Sequence, residues 1–482
     1  MGLRDKALKG LFWSFTDNSV SKGINFIAGV FLARLLSPRE FGLIGMLALF
    51  IGVSETIINS GFGLALIRKN DSRQVDYNSV FFFNVSLSII IYFILFTCSG
   101  YISGFFNEPV LEDILKVLSI IVIINAFGLV QNSILIKNLD FKTIAKITFI
   151  SSVLSGTISI LLAYKGFGVW SLVVKTLISS AVTSISLWIL NKWRPTMEFS
   201  SRSFIEMYRF GYKLLLSSLL YTTYINIYKF VIGKVYSADE LGYYTRAEQF
   251  QVLPSSNISG IIQKVTLPLL TNIKDDRLSL KSNYRKMIQA TMFLTFTLMI
   301  GMAAVAEPMI KVIIGDAWLP AVPYLQILCF VGMFSPLHTL NLNILFLDGR
   351  SDLGLKLEIY KILIAIPVIL LGIFFGIKIM LTGMVFHAVI SYYLNSSISG
   401  KLIEYPVREQ VRDILPSFII ALLMGITVYL FGLVLPVGDL LKLILQIAIG
   451  ATLVLVSGHL IKLEPYLFIK ELIHTRKLPF IK

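Results

Sequence analysis

The stretch Ser37-Pro38-Arg39-Glu40-Phe41-Gly42 returns 200 residues later as Ser237-Ala238-Asp239-Glu240-Leu241-Gly242. Each copy has the form of a helix start. Serine stands at the N-cap, glutamate three residues on closes a capping box, and in the first copy proline occupies the position whose missing N–H costs nothing. Taken alone this is a cap; its weight comes from register. Upstream, Ile24-Asn25 pairs with Ile225-Asn226 at a shift of 201. Downstream, Gln131-Asn132-Ser133-Ile134-Leu135 pairs with Asn341-Leu342-Asn343-Ile344-Leu345 at 210, and Ile160-Leu161-Leu162 with Ile369-Leu370-Leu371 at 209. Ordered matches at a nearly constant shift point to a duplicated chain. The drift of about ten falls in the basic stretch Lys264 to Lys286, where an insertion is expected to form an interfacial amphipathic helix.

The medium around this duplication is lipid. The 482 residues are 56% hydrophobic and only 15% charged, with a mean hydropathy of +0.78, far more apolar than a soluble domain. Requiring roughly 20 largely apolar residues per span gives fourteen helices, near 8–34, 39–63, 78–100, 113–136, 142–163, 169–191, 206–233, 240–269, 286–307, 321–346, 353–375, 379–402, 411–434 and 440–461. The net charge of +15 does not indicate nucleic acid, because it sits in short loops between apolar spans. Most of the 43 lysines and arginines fall on one side, Arg68, Lys69, Lys137, Lys192, Arg194, Lys281, Lys361 and Arg408 among them, which sets an even number of spans with both termini cytoplasmic. The N-terminal region lacks a small-residue cleavage site and is expected to stay in the mature protein. Cys98 and Cys329 lie in apolar runs without CxxC or Cys/His spacing, so they are expected to be packing residues.

The expected fold is an all-α polytopic membrane protein of two pseudo-symmetric six-helix lobes, 1–200 and 201–405, with two further helices and a cytoplasmic tail in 406–482. Six spans per copy make these parallel repeats, and a duplicated bundle implies a cavity between lobes.

Polar residues inside the spans mark the candidate site. Ser14, Asp17, Asn18, Ser21 and Asn25 fall within an arc of about 100° on the first span, with Lys22 at its edge. A charge near mid-membrane costs roughly 2.5–3.5 kcal/mol on insertion scales, so Lys22 is expected to face water, a ligand or a partner such as Asp17 or Asn18. Two readings stand: a cavity wall, or an Asp17/Lys22 pair joining helices. On the seventh span Lys213, Ser217, Tyr221, Tyr224 and Tyr228 share one face. Tyrosine offers a flat ring and a hydroxyl that both donates and accepts, which suits sugars; a helix interface or an aromatic belt explains the same stripe. On the eighth, Arg246, Glu248, Gln249, Gln251 and Asn257 surround Pro254, which is expected to bend the helix. Glu55 is the deepest acid and, with Asp17, the candidate for ion coupling; a hydrogen-bonded acid at a helix contact is the alternative. Glu358, His338 and His387 are further polar groups in spans. No GxxxxGK[ST], HExxH or GxSxG occurs and no loop is long enough for a catalytic domain, so neither an enzyme nor a cofactor is implied.

Four segments carry a family resemblance: Leu32-Ala33-Arg34-Leu35-Leu36-Ser37-Pro38-Arg39-Glu40-Phe41-Gly42, Gly61-Phe62-Gly63-Leu64-Ala65-Leu66-Ile67-Arg68, Gly166-Phe167-Gly168-Val169-Trp170-Ser171-Leu172-Val173 and Leu241-Gly242-Tyr243-Tyr244-Thr245-Arg246-Ala247. Together they resemble the bacterial polysaccharide-transport family, the O-antigen, capsule and colanic-acid flippases of the MOP superfamily. The resemblance implies translocation of an undecaprenyl-diphosphate-linked oligosaccharide across the inner membrane by alternating access, with membrane lipid as surroundings and polysaccharide polymerase or assembly proteins as partners. For that substrate Lys22 and Arg246 are the candidates for the diphosphate, and Asn25, Tyr221, Tyr224 and Lys213 for the remainder. Rival readings are a MATE-like exporter of drugs or cations, which would want an acidic cavity, and a polymerase-type or scaffolding component of glycan assembly.

Overall fold

Helix caps, apolar runs and glycine contacts place nearly every element. The computed structural model describes residues 20–475 apart from 60, 70, 273–275 and 349, and no strand occurs among them. In chain order the helices are α1 (20–35), α2 (Pro38–Asn59), α3 (Phe62–Arg68), α4 (Gln74–Phe106), α5 (Val110–Leu118), α6 (Ile120–Lys137), α7 (Phe141–Tyr164), α8 (Val169–Leu190), α9 (Ser201–Val235) and α10 (Ala238–Asn272). They continue as α11 (Arg277–Ala304), α12 (Ala306–Ile313), α13 (Ala321–Gly332), α14 (Ser335–Leu347), α15 (Ser351–Phe375), α16 (Ile377–Leu402), α17 (Val407–Val434), α18 (Asp439–Leu460) and α19 (Glu464–Thr475). At 1.5 Å per residue, the 35-residue α9 and α10 reach about 50 Å, well beyond a hydrocarbon core of roughly 30 Å.

The protein is a multi-pass membrane protein. Eleven helices among the described residues are long and apolar enough to cross a bilayer by length and composition. Those criteria do not reach the expected fourteen: α9 and α10 fall outside them, and of the first expected span only residues 20 onward, in α1, are described. These three carry the polar faces read from the sequence. Pro254 does not end its helix, since α10 runs through it. The separate amphipathic helix expected between Lys264 and Lys286 is absent among the described residues: 264–272 complete α10 and 277–286 begin α11. Asp276 caps α11, accepting at 3.1 Å from the N–H groups of both Leu278 and Ser279. The Ser279 hydroxyl and these backbone donors hold its carboxyl below the usual carboxylate range.

Packing divides the chain into two compact units, one up to Gly242 and one from Tyr243 onward, and the chain passes from one to the other inside α10. In the first unit α9 packs along α2, and α7 along α8. Its core joins Ile58, Phe62, Leu66, Phe81, Val122 and Val130, with Phe204 of α9 stacked on Phe62 at 5.6 Å. In the second unit α11 packs along α17 and α15 along α16, and Met424, Val428 and Leu443 join the core. Cys98 and Cys329 are free, and Cys329 is buried.

The repeated cap is put to use by its last residue. In the first copy the Glu40 carboxylate reaches back to the Ser37 N–H at 2.6 Å; in the second, Ser237 Oγ accepts from the Glu240 N–H at 3.1 Å. The two copies also cross. A Cβ on Gly42 would lie 1.7 Å from the Ala238 carbonyl oxygen, and a Cβ on Gly242 would lie 1.9 Å from that of Pro38. The starts of α2 and α10 thus rest on each other reciprocally, and only glycine allows the backbones so close.

Candidate functional site

A polar cavity opens inside the first unit where α2, α6, α7 and α8 meet, and a second lies beside it between α2, α3, α6 and α9. Their volumes are about 350 and 570 Å³, within the range of small-molecule sites. Glu55, Asn59, Leu129 and Asn132 belong to both, so the two spaces share a wall. That wall follows from helical spacing. Glu55 and Asn59 stand four apart on α2, and Asn125, Gly128 and Asn132 fall at i, i+3 and i+7 on α6.

Asn125 Nδ2 donates to Glu55 Oε1 at 2.9 Å, which fixes the carboxylate against α6. On the far side of α2, Thr56 and Thr222 join their hydroxyls at 2.9 Å, and Asn226 Nδ2 donates to the Thr222 carbonyl at 3.0 Å. The Thr56–Thr222 bond ties α9 to α2, and Gly52 makes room for it: a Cβ there would lie 3.2 Å from the Thr222 methyl. The outer walls are held by hydroxyls, with Ser151 bonded to Ser179 at 3.0 Å and Thr183 donating to Ser151 at 3.0 Å. Trp188 Nε1 donates to the Phe127 carbonyl and Asn191 Nδ2 to that of Gln131, binding α8 to α6. Among the described lining residues of both cavities Glu55 is the one ionisable group; the others are amides, hydroxyls, glycines and aliphatics. Such walls recognise groups that both donate and accept hydrogen bonds.

The residues singled out from the sequence fall in several places. Glu55 lines both cavities. Asn25, on α1, donates to Ser152 Oγ of α7 at 3.2 Å, and half-buried Lys22 lies one turn before it. Tyr221 is 60% exposed, Tyr224 is half-buried and Tyr228 is buried, so their shared stripe spans several environments, and none of the three lines the two cavities. In the second unit Arg246 is buried, its guanidinium 5.7 Å from the centre of the Trp318 ring with Nη1 donating to Gln249 Oε1. Asp17 and the Lys213 side chain lie outside the described residues.

Two features escaped the sequence reading. Asn125 and Asn132 form the α6 side of the cavity, although their seven-residue spacing on one helix was available as a signal. Lys361, counted there among the loop charges, is instead buried within α15, its Nζ 2.7 Å from Glu358 Oε1. His387 Nε2 lies 2.9 Å from the Lys361 carbonyl oxygen and His338 Nδ1 lies 2.8 Å from Asn395 Nδ2, so these groups make a polar knot across α14, α15 and α16.

Comparison with known proteins agrees with this architecture. The family model described as "Polysaccharide biosynthesis protein" matches residues 31–323. The lipopolysaccharide biosynthesis protein WzxC of Escherichia coli (strain K12) is 25% identical over 443 residues, covering 90% of this chain and 89% of that protein. The teichuronic acid biosynthesis protein TuaB of Bacillus subtilis (strain 168) is 26% identical over 430 residues, 88% of each. Among solved structures, the lipid II flippase MurJ in its inward closed conformation shares the fold with a TM-score of 0.77 at 16% identity, over 94% of this chain and 99% of that one. The apolar helical bundle, the repeated cap and this match over more than half of the sequence lead to one conclusion: the chain belongs to the polysaccharide biosynthesis protein family.

Proposed function

We propose that this protein is a flippase that carries undecaprenyl-diphosphate-linked oligosaccharide repeat units from the cytoplasmic to the periplasmic leaflet of the bacterial inner membrane by alternating access. The carrying observation is the polar cavity behind Glu55, a hydrogen-bonding space walled by helices that are otherwise apolar. Family membership supports the reading, as do relatives named for lipopolysaccharide and teichuronic acid biosynthesis and a fold shared with a lipid II flippase. A glycan needs walls that donate and accept, a diphosphate needs a fixed cation, and a polyprenyl tail can remain in lipid. In this reading Lys22 on α1 meets the diphosphate, with Asn25 beside it. Tyr221, Tyr224 and Lys213 on α9 meet the remainder. Arg246 packs first against Trp318, and it serves the anion when α10 moves. Glu55 is the ion-coupling group, both termini are cytoplasmic, and polymerase or assembly proteins receive the product.

The test is deletion followed by leaflet-resolved labelling of lipid-linked repeat units with a membrane-impermeant glycan reagent. Units that accumulate on the cytoplasmic leaflet support flipping. Units that accumulate on the periplasmic leaflet reassign the protein to polymerisation.

A further inference from the structure

The two cavities of the first unit differ in sign from the chain around them. The protein carries a net charge of +15, yet among the described residues lining these spaces there is one carboxylate, Glu55, and no lysine, arginine or histidine. The remaining polar lining consists of neutral groups such as Asn59, Asn132, Thr148 and Ser218. Asn125 takes one approach to the carboxylate, at 2.9 Å, and holds its orientation. A carboxylate accepts hydrogen bonds and cannot donate while ionised, so a fixed one matches a pair of neighbouring hydroxyls, while amide side chains satisfy hydroxyls or N-acyl groups in either direction. A second anion brought against it in a low-dielectric site meets like-charge repulsion.

We propose that this double cavity is a sugar subsite that takes an uncharged or amine-bearing residue of the repeat unit, with Glu55 accepting from vicinal hydroxyls, and that it rejects acidic sugars. The inference rests on the flippase reading and specifies it: the diphosphate is held elsewhere, and Glu55 sets which glycans the protein accepts. Gly128 and Gly63 let the helices of the walls pack closely, since a Cβ on the first would lie 3.2 Å from Leu187 and on the second 3.1 Å from Ser133 Oγ.

The experiment measures binding of two synthetic polyprenyl-diphosphate trisaccharides, identical except that one residue is glucose or glucuronate, to the full-length protein in detergent. Unglycosylated polyprenyl diphosphate serves as competitor. Wild type is expected to bind the glucose form about tenfold or more tighter than the glucuronate form, and Glu55→Gln to bring that ratio towards one. Asn132→Leu provides a second variant that keeps the acid: it should weaken the glucose form about threefold or more while the ratio persists. Equal affinities in wild type, an unchanged ratio in Glu55→Gln, or full displacement of the glucose form by stoichiometric unglycosylated lipid would overturn the subsite and leave the flippase reading standing. Failure of a normally folded protein, with its wild-type unfolding temperature, to bind either glycolipid would overturn both.

Discussion

In the first unit Glu55, Asn59 and Asn132 line open space, whereas in the second Asn341, Ser396 and Gln410 bond to neighbouring side chains. Around α6, Asn59 and Asn132 stand exposed to the cavity and Glu55 is half-buried. In the second unit Asn341 Oδ1 accepts from Tyr284 OH at 3.1 Å and from Ser399 Oγ at 2.5 Å, while Ser396 Oγ donates to Gln410 Oε1 at 2.7 Å. Those bonds knit α11, α14, α16 and α17. The repeat register sharpens the contrast: Gln131 and Asn341 correspond and both are buried, but Asn132 corresponds to Leu342 and Glu55 to Ser255. At the positions that the repeated cap brings into register, the buried amide is common to both halves and the cavity-lining groups are not. A polar residue in a span acts as glue or as lining according to what its neighbours leave open, and the two units show one case each.

The contrast breaks most visibly if each half loses the polar group that marks it. Glu55→Ser installs the second copy's side chain; export of surface polysaccharide should fall about tenfold or more, because hydrogen bonds to a charged group are worth roughly 1.5–3 kcal/mol. Protein level and unfolding temperature should hold, and a variant that exports normally sinks the cavity's role. Asn341→Leu removes the second unit's bonded amide. It leaves Tyr284 and Ser399 without their acceptor in a buried site, a loss of about 1–3 kcal/mol, so the expected readout is a lower unfolding midpoint and reduced abundance. An Asn341→Leu protein that unfolds like wild type but fails to export would move that amide from glue to site.

Gly42→Ala and Gly242→Ala probe a place where both copies do the same work. Each Cβ would land within 2 Å of a carbonyl oxygen, so overpacking of about 1–3 kcal/mol or more is expected from either, seen in thermal unfolding of the purified protein. If one alanine is tolerated and the other is not, the crossing is not reciprocal. For Glu358 and Lys361 the order of effects is the prediction. Glu358→Gln should destabilise more than Lys361→Met, because the lysine is only 7% exposed and its charge would stay behind unpaired. Equal unfolding midpoints would contradict that. The smallest effect belongs to Arg39→Ala: its 2.7 Å pair with Glu108 is 57% exposed on the arginine side, so the change should stay within about 1 kcal/mol.

Much of this was legible before any coordinates. Ser37 and Ser237 announce the starts of α2 and α10 because a cap needs local atoms alone, and apolar runs of span length announce helices because lipid satisfies no backbone group. Glu55 was legible as a deep acid for the same reason. Asn125 was not singled out, since its partner lies 70 residues away on another helix. Lys361 falls inside the expected span 353–375; counting it with the basic side reads its charge and not the neighbours that bury it.

The sequence by itself determined the medium, most of the helices and the family resemblance, and it pointed to a duplication, all of which depend on composition and short-range spacing. Only the tertiary structure decided which polar groups meet a neighbour and which meet a void. It joined Asn341 to Tyr284 and set Asn132 against open space. Those outcomes depend on distances between residues far apart in the chain, and a helical period cannot encode them.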